Sequence, residues 1–143
     1  MNLSPLRYPG GKSRLSGFIQ RLIELNGLSD GIYVEPFAGG AGVALALLTQ
    51  EYVSRVVIND IDPAIYAFWY SVLNLTDDLC RLIVDTPVTM ESWYEQREVQ
   101  RMSDEIGFLE LGFSTFFLNR TNRSGILKAG VIGGKAQDGK WKL

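Results

Sequence analysis

At 143 residues, 46% of them hydrophobic and with a formal net charge of −2, the chain reads as one ordinary domain or a piece of a larger one, able to bury a core. The absence of histidine excludes Ser-His and Cys-His nucleophile pairs and His-ligated zinc, and the single Cys80 excludes an intrachain disulfide. No apolar run approaches the ~18 residues that span a bilayer, and Met1 leads into polar and turn-forming residues without a secretory core, so a reducing cytoplasm is the expected setting.

The entry "LSPLRYPGGKSRL" is punctuated by Pro5, Pro9, Gly10 and Gly11 and predicts turns. "SGFIQRLIEL", from Ser16, predicts a helix with Phe18, Ile19, Leu22, Ile23 and Leu25 on one stripe, ending near Asn26-Gly27. "GIYVE" predicts a short buried strand, "GVALALLTQ" a buried helix, and "SRVVIND" a second, β-branched strand. Asp62 has the character of an N-cap with Pro63 at the first helical position, leading into "AIYAFWYSVL" as a helix. The order is β-loop-α-β, the first half of an open parallel sheet with a right-handed crossover. From residue 75 the texture changes. "DDLCRLIV", "MESWYEQREVQRM" and "FLELGFSTFFLNRT" predict three helices with no strand between them, and "GILKAGVIGGKAQDGKWKL" predicts a loop or hairpin. The expected division is therefore 1–74 and 75–143. Charge is uneven as well: residues 119–143 carry six Lys/Arg against Asp138 alone, a basic end on an acidic body.

Glu35 and Asp60 each close a predicted strand, at the end of an α/β sheet where ligands sit. Between them Gly39, Gly40 and Gly42 allow a close backbone approach, with a helix N-terminus behind. Asp60 follows the glycines by about 20 residues, the usual distance for a carboxylate that grips ribose hydroxyls. A nucleoside-bearing cofactor satisfies both features, and a tight turn with solvated acids is the plainer reading. The dinucleotide fingerprint G-x-G-x-x-G fails, because the turn runs G-G-A-G and its last position is Leu45. A pyrophosphate would be repelled by Glu35, whereas a cation would be welcomed. S-adenosylmethionine offers an ammonium, a sulfonium and ribose hydroxyls, and its sulfonium is an activated leaving group that needs no metal.

"YPGGKS" ends like a phosphate loop, but the required glycine is Leu6 and no strand precedes it. A turn delivering Tyr8 and Lys12 to the cofactor pocket fits better. "FFLNRTNRSG" combines aromatics and amides with Arg120 and Arg123, side-chain types that read guanine and adenine edges, although helix capping accounts for the same residues.

In order, "RYPGGK", "EPFAGGAG", "NDID" and "LNRTNRSG" resemble the Dam-type (D12 class) DNA adenine-N6 methyltransferases, over essentially the whole chain. The resemblance implies a partial Rossmann-like, S-adenosylmethionine-dependent α/β methyltransferase fold with a helical target-recognition region. It implies that Tyr8, Lys12, Glu35, Phe37, Gly39, Gly40, Gly42 and Asp60 contact the cofactor. It also implies that Asn119, Arg120, Arg123, Ser124 and Lys128 lie in the segment that enters double-stranded DNA. Some relatives place an aromatic and Asn where this chain has Arg123 and Ser124, a departure at the positions that bear on how DNA is opened and which sequence is read.

Family members also carry D-P-P-Y, which polarises the exocyclic amine of an extruded adenine. The prolines here are at 5, 9, 36, 63 and 87, none adjacent, so that motif is not among these residues. No catalytic residue is assigned, and the chain alone is expected not to methylate DNA. A truncated, non-catalytic module that binds S-adenosylmethionine or DNA, either completed by a partner chain or a second copy or left as a gene remnant, is the alternative expectation. A nucleotide-phosphate enzyme comes third.

Overall fold

The computed structural model describes residues 3–8, 11–137 and 141. Pro9 and Gly10 of the entry turn, and Asp138, Lys140 and Lys142 of the basic end, lie outside the described residues. The chain divides into two compact units, Met1–Asp60 and Ile61–Leu143.

The first unit holds a 3-10 turn (Lys12–Leu15), α1 (Ser16–Leu25), β1 (Ile32–Glu35), α2 (Gly42–Thr49) and β2 (Arg55–Ile58). β1 and β2 pair in parallel, with Ile32 opposite Arg55 and Glu35 opposite Ile58. Ile23, Val43, Leu47 and Val53 form the buried core, with Ile19, Tyr33, Tyr52 and Val56 packed against it. Both helices therefore rest on the sheet face that carries Tyr33 and Val56.

Two expectations change here. The strand "GIYVE" is half buried, because side chains alternate across a sheet and only one face is covered; Ile32 and Val34 are 60% and 59% exposed. The α1 stripe is likewise narrower than predicted. Ile19 and Ile23, one turn apart, meet the core, whereas Phe18, Leu22 and Leu25 are exposed. A sheet of two strands is too narrow to receive the whole stripe.

The second unit holds α3 (Pro63–Asn74), α4 (Thr76–Asp85), α5 (Met90–Arg101), α6 (Phe108–Thr121) and a 3-10 turn (Arg123–Gly125). Asp62 caps α3 by accepting the Ala64 N–H at 2.9 Å, with Pro63 at the first helical position. Thr89 caps α5 through the Ser92 N–H at 3.1 Å. α6 is the central helix. It meets α3 so closely that a Cβ on Gly112 would lie 2.6 Å from Ala67 O and from Ser71 Oγ. Ser71 Oγ is 2.8 Å from both Ala67 O and Phe108 O, and shares its one proton between them. Leu79, Trp93, Phe113, Phe117, Leu118 and Val131 complete the core.

The packing break after Asp60 falls earlier than the textural break at residue 75, because the apolar faces of α3 and α6 are complementary and gather α3 into the helical unit. Among the described residues no helix is long and apolar enough to cross a membrane.

Candidate functional site

The C-terminal ends of β1 and β2 are held level by backbone bonds. Asn59 N–H donates to Glu35 O at 3.0 Å, and Ala38 N–H donates to Asn59 O at 2.8 Å. Glu35 is the last residue of β1, and Asp60 follows the end of β2 by two residues. Between them the chain turns sharply, with Gly39 at φ 49° and Ala41 at φ 50°, before α2 begins at Gly42. Ala41 adopts the left-handed region despite its Cβ, at a cost of about 1–2 kcal/mol. Asp60 Oδ2 accepts the Gly39 N–H at 2.8 Å and fastens the turn to the second strand.

The entry segment folds over this turn. A Cβ on Gly39 would lie 2.8 Å from the Tyr8 ring, one on Gly40 2.5 Å from Ser4 Oγ, and one on Gly42 3.0 Å from Ser13 Cβ. The glycines therefore admit the protein's own N-terminal segment as well as lining a cleft. Tyr8, Lys12, Glu35, Phe37, Gly39, Gly40 and Gly42 line that one cleft together with Ser4, Leu6 and Ser13, whereas Asp60 does not line it and braces it from behind through its bond to Gly39.

Glu35 dominates the electrostatics. It is only 3% exposed, with Oε1 2.7 Å from Lys12 Nζ, and Lys12 Nζ also donates to Phe37 O at 2.7 Å. Lys12 pairs with Oε1, while Oε2 has no hydrogen-bond partner among the described residues, so part of the carboxylate's acceptor capacity is unmet. Burial, and secondarily the negative charge of Glu35, pushes the Tyr33 hydroxyl above its ordinary value of 10.0. A buried carboxylate with unmet acceptor capacity beside a glycine turn suits a cationic, hydrogen-bond-donating ligand. The donor set fits S-adenosylmethionine on that ground. Among the described residues no strand precedes the entry turn, and its lysine faces a carboxylate, which fits a phosphate loop poorly.

The second predicted cluster surrounds the end of α6. Asn119 is buried and donates from Nδ2 to Gly125 O at 2.8 Å. Arg120 is partly buried, its guanidinium carbon 6.0 Å from the Phe116 ring centre. Arg123, Ser124 and Lys128 are exposed, and Ser124 is left-handed at φ 56°. The expected hairpin is a turn closed by one antiparallel bridge, Asn122 to Val131, with Arg123 N–H donating to Gly130 O at 3.0 Å.

The family model for D12 class N6 adenine-specific DNA methyltransferases matches residues 8–137. The chain belongs to that family. No curated protein matches it.

Within this D12-class chain, the sequence pattern overlooked several residues. Leu6, fully buried beneath the glycine turn, and Ser4, whose hydroxyl bridges Leu6 N and O, were hidden in a stretch that reads only as turn. Asn122 was also missed. Its Oδ1 accepts Trp93 Nε1 at 2.7 Å, and its Nδ2 donates to Ile126 O at 3.1 Å and Leu127 O at 2.9 Å. An amide one helical turn beyond Leu118 was the available signal, and in sequence it looks no different from Asn119.

Proposed function

We propose that this chain carries the cofactor-binding and early DNA-recognition portion of an S-adenosylmethionine-dependent DNA adenine-N6 methyltransferase of partial Rossmann-like fold. Residues 1–74 serve the cofactor, and residues 75–143 serve the target. The observation that carries the reading is Glu35, a buried carboxylate with unmet acceptor capacity at the end of a parallel strand, in a chain of the D12 family.

Bound S-adenosylmethionine would supply a methyl group on a positively charged sulfur. The chain's own work is positioning. Glu35 attracts the ammonium, Phe37 and Tyr8 flank the cleft, Lys12 lies by the methionine end, and Asp60 orients the ribose while bracing Gly39. Arg123 and Lys128 track phosphate, with Arg120 behind them and Ser124 at the turn. Asn119, being buried, contributes by holding the turn that presents them. DNA affinity would accordingly fall steeply with salt. We place the protein in the cytoplasm, in modification of host or invading DNA, with the adenine-presenting D-P-P-Y residues supplied from outside these 143. A second reading, a binding module completed by another polypeptide or a second copy, is favoured by the bare side of the two-stranded sheet, since parallel sheets are ordinarily covered on both faces.

The test is a calorimetric titration of the purified chain with S-adenosylmethionine, repeated with Asp60→Ala and Asp60→Asn. Saturable binding by the parent, lost in Asp60→Ala and weakened in Asp60→Asn, is expected. A folded chain that takes up no cofactor would overturn the reading.

A further inference from the structure

The cleft contains an ammonium of its own. Lys12 projects from the 3-10 turn with its side chain 45% exposed, yet its Nζ reaches the buried Glu35 carboxylate at 2.7 Å and donates to Phe37 O at 2.7 Å. A primary ammonium carries one positive charge and three donors, and so does the α-ammonium at the amino-acid end of the ligand proposed above. Both seek the Glu35 carboxylate at the end of β1, where Lys12 holds Oε1.

We propose that Lys12 is an internal stand-in for a ligand ammonium. It neutralises Glu35 until a ligand arrives and then yields the carboxylate, which makes the cleft select its ligands by charge. A carboxylate this buried is costly without a cation nearby, so a counter-charge must be present at every stage. The exchange meets that need, because one ammonium leaves as another enters. Lys12 suits the role because its flexible stem ends in solvent reach, whereas an Arg fork at this position would stay clamped on both oxygens. Glu35 Oε2, which makes no hydrogen bond among the described residues, gives an incoming donor a foothold before Lys12 departs.

This inference rests on the cofactor reading, and its test separates the two. The parent chain and Lys12→Met are titrated with S-adenosylmethionine, with S-adenosylhomocysteine, which keeps the amino-acid end on a neutral sulfur, and with 5′-methylthioadenosine, which keeps the nucleoside and a neutral sulfur but lacks the amino-acid end. Removal of the competing cation should tighten the first two roughly fivefold and leave 5′-methylthioadenosine unchanged, a preference on the scale of one partly exposed ion pair. Equal changes for all three ligands, a change confined to S-adenosylmethionine, or weaker binding of either ligand with the amino-acid end would sink the proposal while leaving the cofactor reading in place. A parent chain that binds none of the three would sink both.

A second measurement needs no variant. Reductive methylation of the parent chain, read at Lys12 by mass spectrometry, should rise when S-adenosylmethionine saturates the cleft and stay unchanged with 5′-methylthioadenosine. Unchanged or reduced labelling with S-adenosylmethionine contradicts the exchange.

Discussion

The cleft of the first unit and the turn of the second treat buried polar groups in opposite ways. At the turn, Asn122 makes three of the four hydrogen bonds its amide allows, with Trp93, Ile126 and Leu127, and Asn119 reaches Gly125. At the cleft, Glu35 is almost as inaccessible, yet Lys12 holds only Oε1, and Oε2 has no hydrogen-bond partner among the described residues. Satisfied buried amides build a scaffold and leave recognition to whatever stands outside it, here Arg123 and Lys128. An unsatisfied buried acid is poor scaffold, and its persistence is best understood as capacity held for a ligand.

If that contrast is right, removal of the two groups should have opposite costs. Asn122→Ala strands the Trp93 N–H and two carbonyls, and should lower stability by about 3 kcal/mol in denaturant unfolding. Glu35→Gln, by contrast, should leave the unfolding midpoint unchanged or raised while weakening S-adenosylmethionine about tenfold by calorimetry. A large loss of stability there would put Glu35 in the scaffold. At the turn surface, Arg123→Ala should weaken DNA binding severalfold, uniformly over sequence, and reduce the salt slope by about one. A sequence-selective loss would instead make Arg123 a reader of bases.

The smallest effect belongs to Tyr33. Its hydroxyl holds a proton more tightly in the folded chain than in the unfolded one, mainly through burial and then through Glu35. The associated stability is present in full below pH ~10 and is lost as pH rises through the raised folded value. Tyr33→Phe should flatten the alkaline limb of a melting-temperature profile and change nothing near neutrality.

Element identities were legible because each rested on local chemistry. Asp62-Pro63 announces a helix start, "RVVI" a strand, and the spacing of Leu109, Phe113 and Phe117 a helix. The cleft was legible in its acids and glycines. What could not be read was which apolar residues a partner would meet. α1 shows the same periodicity whether its stripe is buried or bare, and only the width of the sheet decides. Nor could spacing reveal that Lys12 answers Glu35, since the pair arises from the entry segment folding back over the turn. Asn119 and Asn122 look alike in sequence, and their roles diverge only through Trp93, which lies on another helix.

The uncovered side of the two-stranded sheet has a practical consequence. Ile32, Val34 and Val57 offer a flat, rigid apolar strip on a unit whose opposite face is well packed. A fluorescent dye that reports greasy surface will light up on such a strip even when every helix and strand is in place. In a refolding screen the correctly folded chain would then carry the optical signature normally attributed to a half-collapsed intermediate, and near-ultraviolet dichroism rather than dye uptake is the signal by which to recognise it.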